Sequence, residues 1–171
     1  MDILWNKNEI IKVLNNKYVC VGNGKVFEIS TTGFPLTKKI CRKGRKKKGE
    51  FSFSNWANDT IKTITNGEKD KSNLDTPIHF AYIKFVENKD GDILGIIGGK
   101  SQFHSGYNSD INYTDYEEHL SAGNYIKNNE LKIYTQDVII VLNNEPNKTN
   151  ADNDEKWIIK EFNLFSSQKL E

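Results

Sequence analysis

The chain has 171 residues, of which 36% are hydrophobic and 27% are charged, and its formal net charge is +1 at pH 7. This length predicts a single domain over residues 1–171, since domains usually contain about 100–200 residues, and no apolar run reaches the ~18–20 residues that a membrane-spanning helix needs. Two cysteines and three histidines argue against a four-cysteine zinc site and a disulfide framework, and the start lacks a basic and apolar leader, so we expect a cytoplasmic protein.

The first 30 residues predict a helix followed by a hairpin. Asn8 can cap a short helix, because apolar residues recur at near-helical spacing from Ile10 to Leu14. Residues 18–21 and 25–29 are rich in β-branched and aromatic side chains and flank a Gly-Asn-Gly sequence. Two such runs around Gly and Asn are typical of a β-hairpin.

A basic segment follows at residues 38–48. It contains eight cationic side chains: Lys38, Lys39, Arg42, Lys43, Arg45, Lys46, Lys47 and Lys48. They give residues 1–50 a net charge of +8, whereas residues 101–171 carry −6. Such asymmetry favours a polyanionic partner, which a cluster of lysines binds through phosphates without sequence preference. A solvated basic loop without a partner is an equally good interpretation.

The next stretch returns the chain to a globular pattern. Residues 56–64 predict a helix that ends at Asn66-Gly67, and the polar residues 68–75 predict a surface loop. The chain thus divides into a candidate nucleic-acid-recognition part, residues 1–76, and a candidate catalytic part, residues 77–171.

The clearest local signal is a second hairpin. Residues 78–86 and 93–97 read as strands on either side of Asp90-Gly91, which is a strong turn signal. Residues 113–120 predict a short helix, 138–142 a third strand, and 154–165 an amphipathic helix. Together these elements predict an α+β fold, with a small mixed or antiparallel central sheet flanked by helices.

The sequence Gly98-Gly99-Lys100-Ser101 follows the second strand of that hairpin. Two glycines let backbone N–H groups approach a ligand closely, and Lys100 and Ser101 add a charge and a hydroxyl. A phosphate is therefore the ligand that we expect. A Gly-rich strand end that only turns tightly is the alternative. Polar aromatic residues come next, among them His104 and Tyr107, which could transfer protons or contact a phosphoryl oxygen.

Acidic residues open the last predicted helix. Asp152, Asp154 and Glu155 lie there, and the helix dipole would stabilise them with no function implied. The functional alternative is a Mg²⁺ site, because Mg²⁺ is often held by only one or two carboxylates together with substrate phosphates. Glu155 is the residue that we expect to hold the metal.

Residues 78–168 resemble the GIY-YIG nuclease module. The similarity rests on the strand residues 80–82, the sequence 97–101, a third strand, and the late helix that carries Glu155. It implies a nuclease in which Tyr82 matches the first tyrosine, Gly99 the glycine of the second motif, and Glu155 the ligand of a divalent metal. Ile97 stands where the second tyrosine is expected, and no arginine follows the Gly-Lys-Ser sequence. Lys100 or His104 would then supply the positive charge and Tyr107 a phenol.

Two other nuclease patterns compete. Residues 92–101 resemble the second half of a PD-(D/E)xK site with Gly98 in place of the acidic residue, and Glu130-Leu131-Lys132 keeps the E-x-K spacing. A metal-independent ribonuclease would need only His104, Lys100 and a tyrosine. All three patterns place a phosphodiester at the site.

We therefore predict a metal-dependent nuclease that acts on DNA more than on RNA. Two non-enzymatic hypotheses stay open. A nucleic-acid-binding protein would use the basic segment with Phe51, Phe53 and Trp56 for stacking. An immunity or inhibitor protein would use its acidic C-terminal half to cover a basic protein partner.

Overall fold

The computed structural model describes residues 3–30, 53–70, 72–103 and 120–166. Five strands form one sheet: β1 Gly24–Ser30, β2 Ile78–Glu87, β3 Ile93–Phe103, β4 Lys132–Asn143 and β5 Phe165–Ser166. Their order is β1-β4-β2-β3-β5, and every neighbouring pair is antiparallel except the parallel pair of β3 and β5. The helices are α1 Lys7–Leu14, α2 Phe53–Ile64, α3 Leu120–Asn128 and α4 Lys148–Glu161. The α+β prediction with a mixed sheet is confirmed.

Helices cover both faces of the sheet. On one, which we call the α4 face, Ile83 and Phe85 of β2 pack with α1 and α4. On the other, the α2 face, Phe80 and Tyr82 pack with Ile61 of α2. Successive side chains of a strand point to opposite faces, so a strand covered on both sides is apolar along its whole length. For this reason β2 reads as an almost continuous hydrophobic run.

The hairpin of β2 and β3 forms as predicted. Gly91 has a φ of 86°, and the Asn88 side chain accepts hydrogen bonds from the backbone N–H groups of Asp90 and Asp92, each at 2.9 Å. The difference is its length, because β3 runs to Phe103 rather than ending at residue 97.

The predicted N-terminal hairpin is wrong. Residues 15–19 continue α1 as a π-helical turn, and β1 pairs with β4 instead, with Phe27 opposite Ile140. Tyr18 is buried four residues after Leu14, and its hydroxyl donates to Asp154, so tertiary packing overrides the strand propensity of residues 18–21. Asn6, not Asn8, caps α1; its side chain accepts from the Asn8 backbone N–H.

The remaining boundaries shift by several residues. Helix α2 begins three residues before the predicted start and ends as expected before Asn66 and Gly67, which both have positive φ. The loop over 68–75 is present where described, but its Leu74 is buried in the core. Helix α4 begins at Lys148 rather than 154, with Asn147 as its N-cap, and residues 165–166 form β5 rather than the end of that helix. Within the described ranges, no helix has the length and apolarity that crossing a membrane requires.

Candidate functional site

The sequence Gly98-Gly99-Lys100-Ser101 lies inside β3, paired with residues 80–83 of β2. The expected phosphate-cradling turn at a strand end is therefore wrong, because these residues belong to a regular antiparallel ladder. The structure gives Gly98 a packing role. A Cβ at this position would lie 2.9 Å from Cγ1 of Ile159 and 3.0 Å from Cδ1 of Leu164, so glycine is what lets α4 and the chain after it approach the sheet.

The pleat of the sheet separates the predicted catalytic residues. Tyr82, 3% exposed, belongs to the core on the α2 face, with Nζ of the buried Lys84 5.6 Å from its ring centroid. Lys100 is paired with Ala81, the neighbour of Tyr82, and so points to the α4 face. The described structure thus does not bring Tyr82 together with Lys100 and Glu155, which both belong to the α4 side.

Lys100 reaches across to α4, where its ammonium forms an ion pair with Asp152. Both side chains are about one third exposed, at 31% each. The hydrogen bond from Lys100 is the main reason that the pKa of the Asp152 carboxyl is lowered, and the nearby Lys148 and Lys156 lower it further. The pair fixes a cation where β3 meets the first turns of α4.

Glu155 lies three residues further along α4 and is 5% exposed. Burial raises the pKa of its carboxyl, against the attraction of Lys100. Its Oε2 is buried without a hydrogen-bond partner among the described residues. A buried carboxylate oxygen left unsatisfied beside a lysine is the kind of group that a ligand or a cation would complete.

Asp154 is the neighbouring buried carboxyl, but it contacts a different residue. The Tyr18 hydroxyl donates to Oδ1 of Asp154 at 2.9 Å, and burial raises the pKa of both groups. Adjacent residues of a helix point about 100° apart. Asp154 therefore faces the π-helical turn, whereas Glu155 faces Lys100, and only Glu155 belongs to the candidate site.

A cavity of about 380 Å³ opens where the start of β2, the end of β3 and the first turn of α4 meet. Its lining residues are His79, Lys100, Ser101, Gln102, Lys148 and Ala151. The Pro146 carbonyl accepts the backbone N–H of His79 at 2.9 Å, which ties the loop before α4 to β2. Three of the lining residues, His79, Gln102 and Lys148, were not predicted from the sequence as site residues. The register of the hairpin, which pairs His79 with Gln102, is the signal that could have found two of them.

Several predicted residues fall outside the described ranges: His104, Tyr107, Phe51 and the basic segment over residues 38–48. Within those ranges, no group of three or more His, Cys, Asp or Glu side chains could hold a metal ion by itself. Any metal here would need ligands from the substrate as well as from Glu155 and Asp152.

Comparison of the chain with protein-family models, with curated proteins and with solved structures finds no match.

Proposed function

We propose that this protein is a nuclease that hydrolyses phosphodiester bonds, in DNA more than in RNA. The observation that carries the proposal is the juxtaposition of Lys100 with the buried, unsatisfied Glu155 beside a cavity lined by two lysines. The order of elements supports it. A hairpin, a third strand and a late helix with Glu155 follow one another in the order on which the GIY-YIG resemblance rests.

Lys100 supplies the positive charge in this proposal. A fixed cation beside the reacting phosphate stabilises the negative charge that develops on the phosphoryl oxygens in the transition state. Asp152 holds the Lys100 side chain in place through the ion pair. This arrangement substitutes for the arginine that the chain lacks after the Gly-Lys-Ser sequence.

Glu155 is the proposed ligand of a divalent cation, with Mg²⁺ as the candidate. Its orphaned Oε2 fits this assignment, because hard cations prefer carboxylate oxygens and Mg²⁺ needs only one or two of them when substrate phosphates complete its shell. Asp152 is the second carboxylate within reach of the same lysine. When bound, the cation would polarise the phosphoryl oxygen and help to generate the hydrolytic nucleophile.

Hydrolysis forms a new bond from a water oxygen to phosphorus and breaks the ester bond to the leaving oxygen. The water loses a proton in this step, and the leaving oxygen gains one. His104 is our candidate for the base that accepts the first proton. We assign no step to Tyr82, because its phenol lies in the core on the opposite face.

Cleavage of plasmid DNA and of total RNA, each with Mg²⁺ and with EDTA, tests the proposal. We expect Mg²⁺-dependent cutting that is faster on DNA, and a loss on the order of a hundredfold or more in E155Q and in K100M. D154N is the matched control, since it changes the adjacent buried carboxyl that contacts Tyr18 instead of Lys100.

Each contrary result points to a specific alternative. Cutting that ignores both Mg²⁺ and E155Q would contradict the metal site and move the chemistry to Lys100 and His104. No cutting of either polymer, at concentrations where binding is saturated, would leave a non-catalytic nucleic-acid-binding protein.

A further inference from the structure

The cavity beside Lys100 is also lined by residues that the proposed hydrolysis does not use. Lys100 and Lys148 bring two ammonium groups to it, and the polar residues His79, Ser101 and Gln102 also line it. Ala151 is the one apolar residue among the described residues that line it. A base or another flat ring would need aromatic side chains to stack upon. Among the described lining residues only His79 has an aromatic ring, whereas two carry ammonium groups, and this charge favours an anion.

Lys148 is a cationic residue of this cavity to which the proposed hydrolysis gives no role. It is the first residue of α4 and is exposed. It lies four residues before Asp152, so the two side chains share one face of the helix, about 6 Å apart along its axis. Within the described part of the chain, its ammonium forms no ion pair or hydrogen bond, although it lies close enough to lower the pKa of Asp152.

The first turn of α4 adds to the same preference. Lys148 and Ala151 both belong to it, and the positive end of a helix dipole favours negative charge. The cavity therefore combines two lysine side chains with the positive end of a 14-residue helix.

We propose that this cavity binds a phosphate group of the substrate strand that neighbours the scissile phosphate, with Lys148 as a positioning residue. The inference rests on the proposed nuclease function, because it takes a nucleic-acid strand as the ligand. Lys100 lies at the boundary between the two phosphates, and Lys148 acts only on the second. Holding the neighbouring phosphate fixes the strand in register with Lys100 and Glu155.

The test is the binding of a fluorescein-labelled single-stranded DNA 12-mer in EDTA, followed by anisotropy at several salt concentrations. In K148Q we expect affinity to fall about tenfold at low salt. The slope of log K against log salt should decrease by about 0.7, the value for one phosphate contact on a single strand. K156Q is the matched control, because it removes the same charge from an exposed lysine of α4 that does not line the cavity. The slope of K156Q should equal that of the wild type.

An equal slope in K148Q and the wild type would overturn the proposal. Equal decreases of the slope in K148Q and K156Q would also overturn it, because they would indicate that both lysines act only through the overall charge of the protein. If the slope is unchanged and inorganic phosphate raises the Tm of the wild type but not that of K148Q, the cavity is a site for a free anion.

Binding in EDTA separates this inference from the proposed function. A Lys148-dependent slope without cleavage under any condition would leave the phosphate site standing and refute the nuclease. Cleavage by the wild type together with an unchanged slope in K148Q would support the nuclease and refute the phosphate site. If both hold, K148Q should raise the KM for DNA cleavage and leave kcat near that of the wild type, since uniform binding is lost rather than transition-state stabilisation.

Discussion

Glu155 and Asp154 are neighbouring carboxyl groups on α4 that face different partners because of their positions on the helix. Both are buried, both have an oxygen without a partner among the described residues, and burial raises the pKa of both. The sequence indicated an acidic cluster at a helix start but could not say which residue is buried against Lys100. That depends on where α4 begins, and α4 begins six residues earlier than predicted.

A raised carboxyl pKa has a defined effect on stability. The folded protein binds this proton more tightly than the unfolded chain does, so the stabilisation is present below the pKa of an unfolded glutamate, about 4.3, and is lost as pH rises through the folded-state pKa. We therefore expect E155Q to gain stability relative to the wild type as pH rises from 4 to 8. Urea denaturation at several pH values, without divalent cations, measures this.

The control for that series is E161Q, which changes an exposed carboxyl at the end of the same helix. A free-energy difference between E155Q and the wild type that stays constant from pH 4 to pH 8 would contradict the assignment of Glu155 as a buried group with a raised pKa.

At the scale of elements, β3 is a strand whose structure differs from its prediction. The turn chemistry at residues 88–92 is local, so the hairpin could be predicted from sequence. The role of Gly98 could not be predicted, because a pair of glycines allows the close approach of either a phosphate or a crossing helix. Only the packing of a helix on the sheet distinguishes the two roles. Here that helix is α4, whose Ile159 occupies the space above Gly98.

We expect G98A to destabilise the protein by about 1–3 kcal/mol, because the added methyl group would lie within 3.0 Å of Ile159 and Leu164 and forces them to shift. Chemical denaturation measures the change in the free energy of unfolding. I159A in the same background removes the closest of these contacts, so the second substitution should cost less in G98A than in the wild type.

Unchanged stability in G98A together with weaker nucleic-acid binding would be the opposite result. It would restore the ligand-binding interpretation of the two glycines.

At the scale of the whole molecule, elements far apart in sequence build one sheet and the hydrophobic clusters on its two faces. β1 pairs with β4 across more than one hundred residues, and Lys7 of α1 bridges Glu28 of β1 and Asp137 of β4. Elements from before residue 77 thus share a sheet with those that follow. The basic segment between β1 and α2 remains our predicted contact for the nucleic-acid backbone.

Neutralising Lys46, Lys47 and Lys48 to glutamine tests that prediction. Each lost phosphate contact should reduce the salt slope of single-stranded DNA binding by about 0.7, so the triple variant should lose about 2. The control is glutamine at Lys89, Lys127 and Lys132, three exposed lysines outside the cavity. Equal losses in both triple variants would show that net charge alone matters. Circular dichroism verifies that both variants fold.

The sequence by itself determined the class of fold, the central hairpin and the C-terminal end of α2, because turn residues and hydrophobic periodicity act over a few positions. It also suggested Lys100 and Glu155 as candidate site residues, since their residue types limit the chemistry that they can perform. Only the tertiary structure decided which of the predicted residues meet. The pleat of β2 and β3 sends Tyr82 to one face and Lys100 to the other, and the packing of α4 brings Glu155 to Lys100 and Lys148 to the cavity. A one-residue step along a strand reverses the face of a side chain, and no local pattern in the chain records which face a later helix will cover.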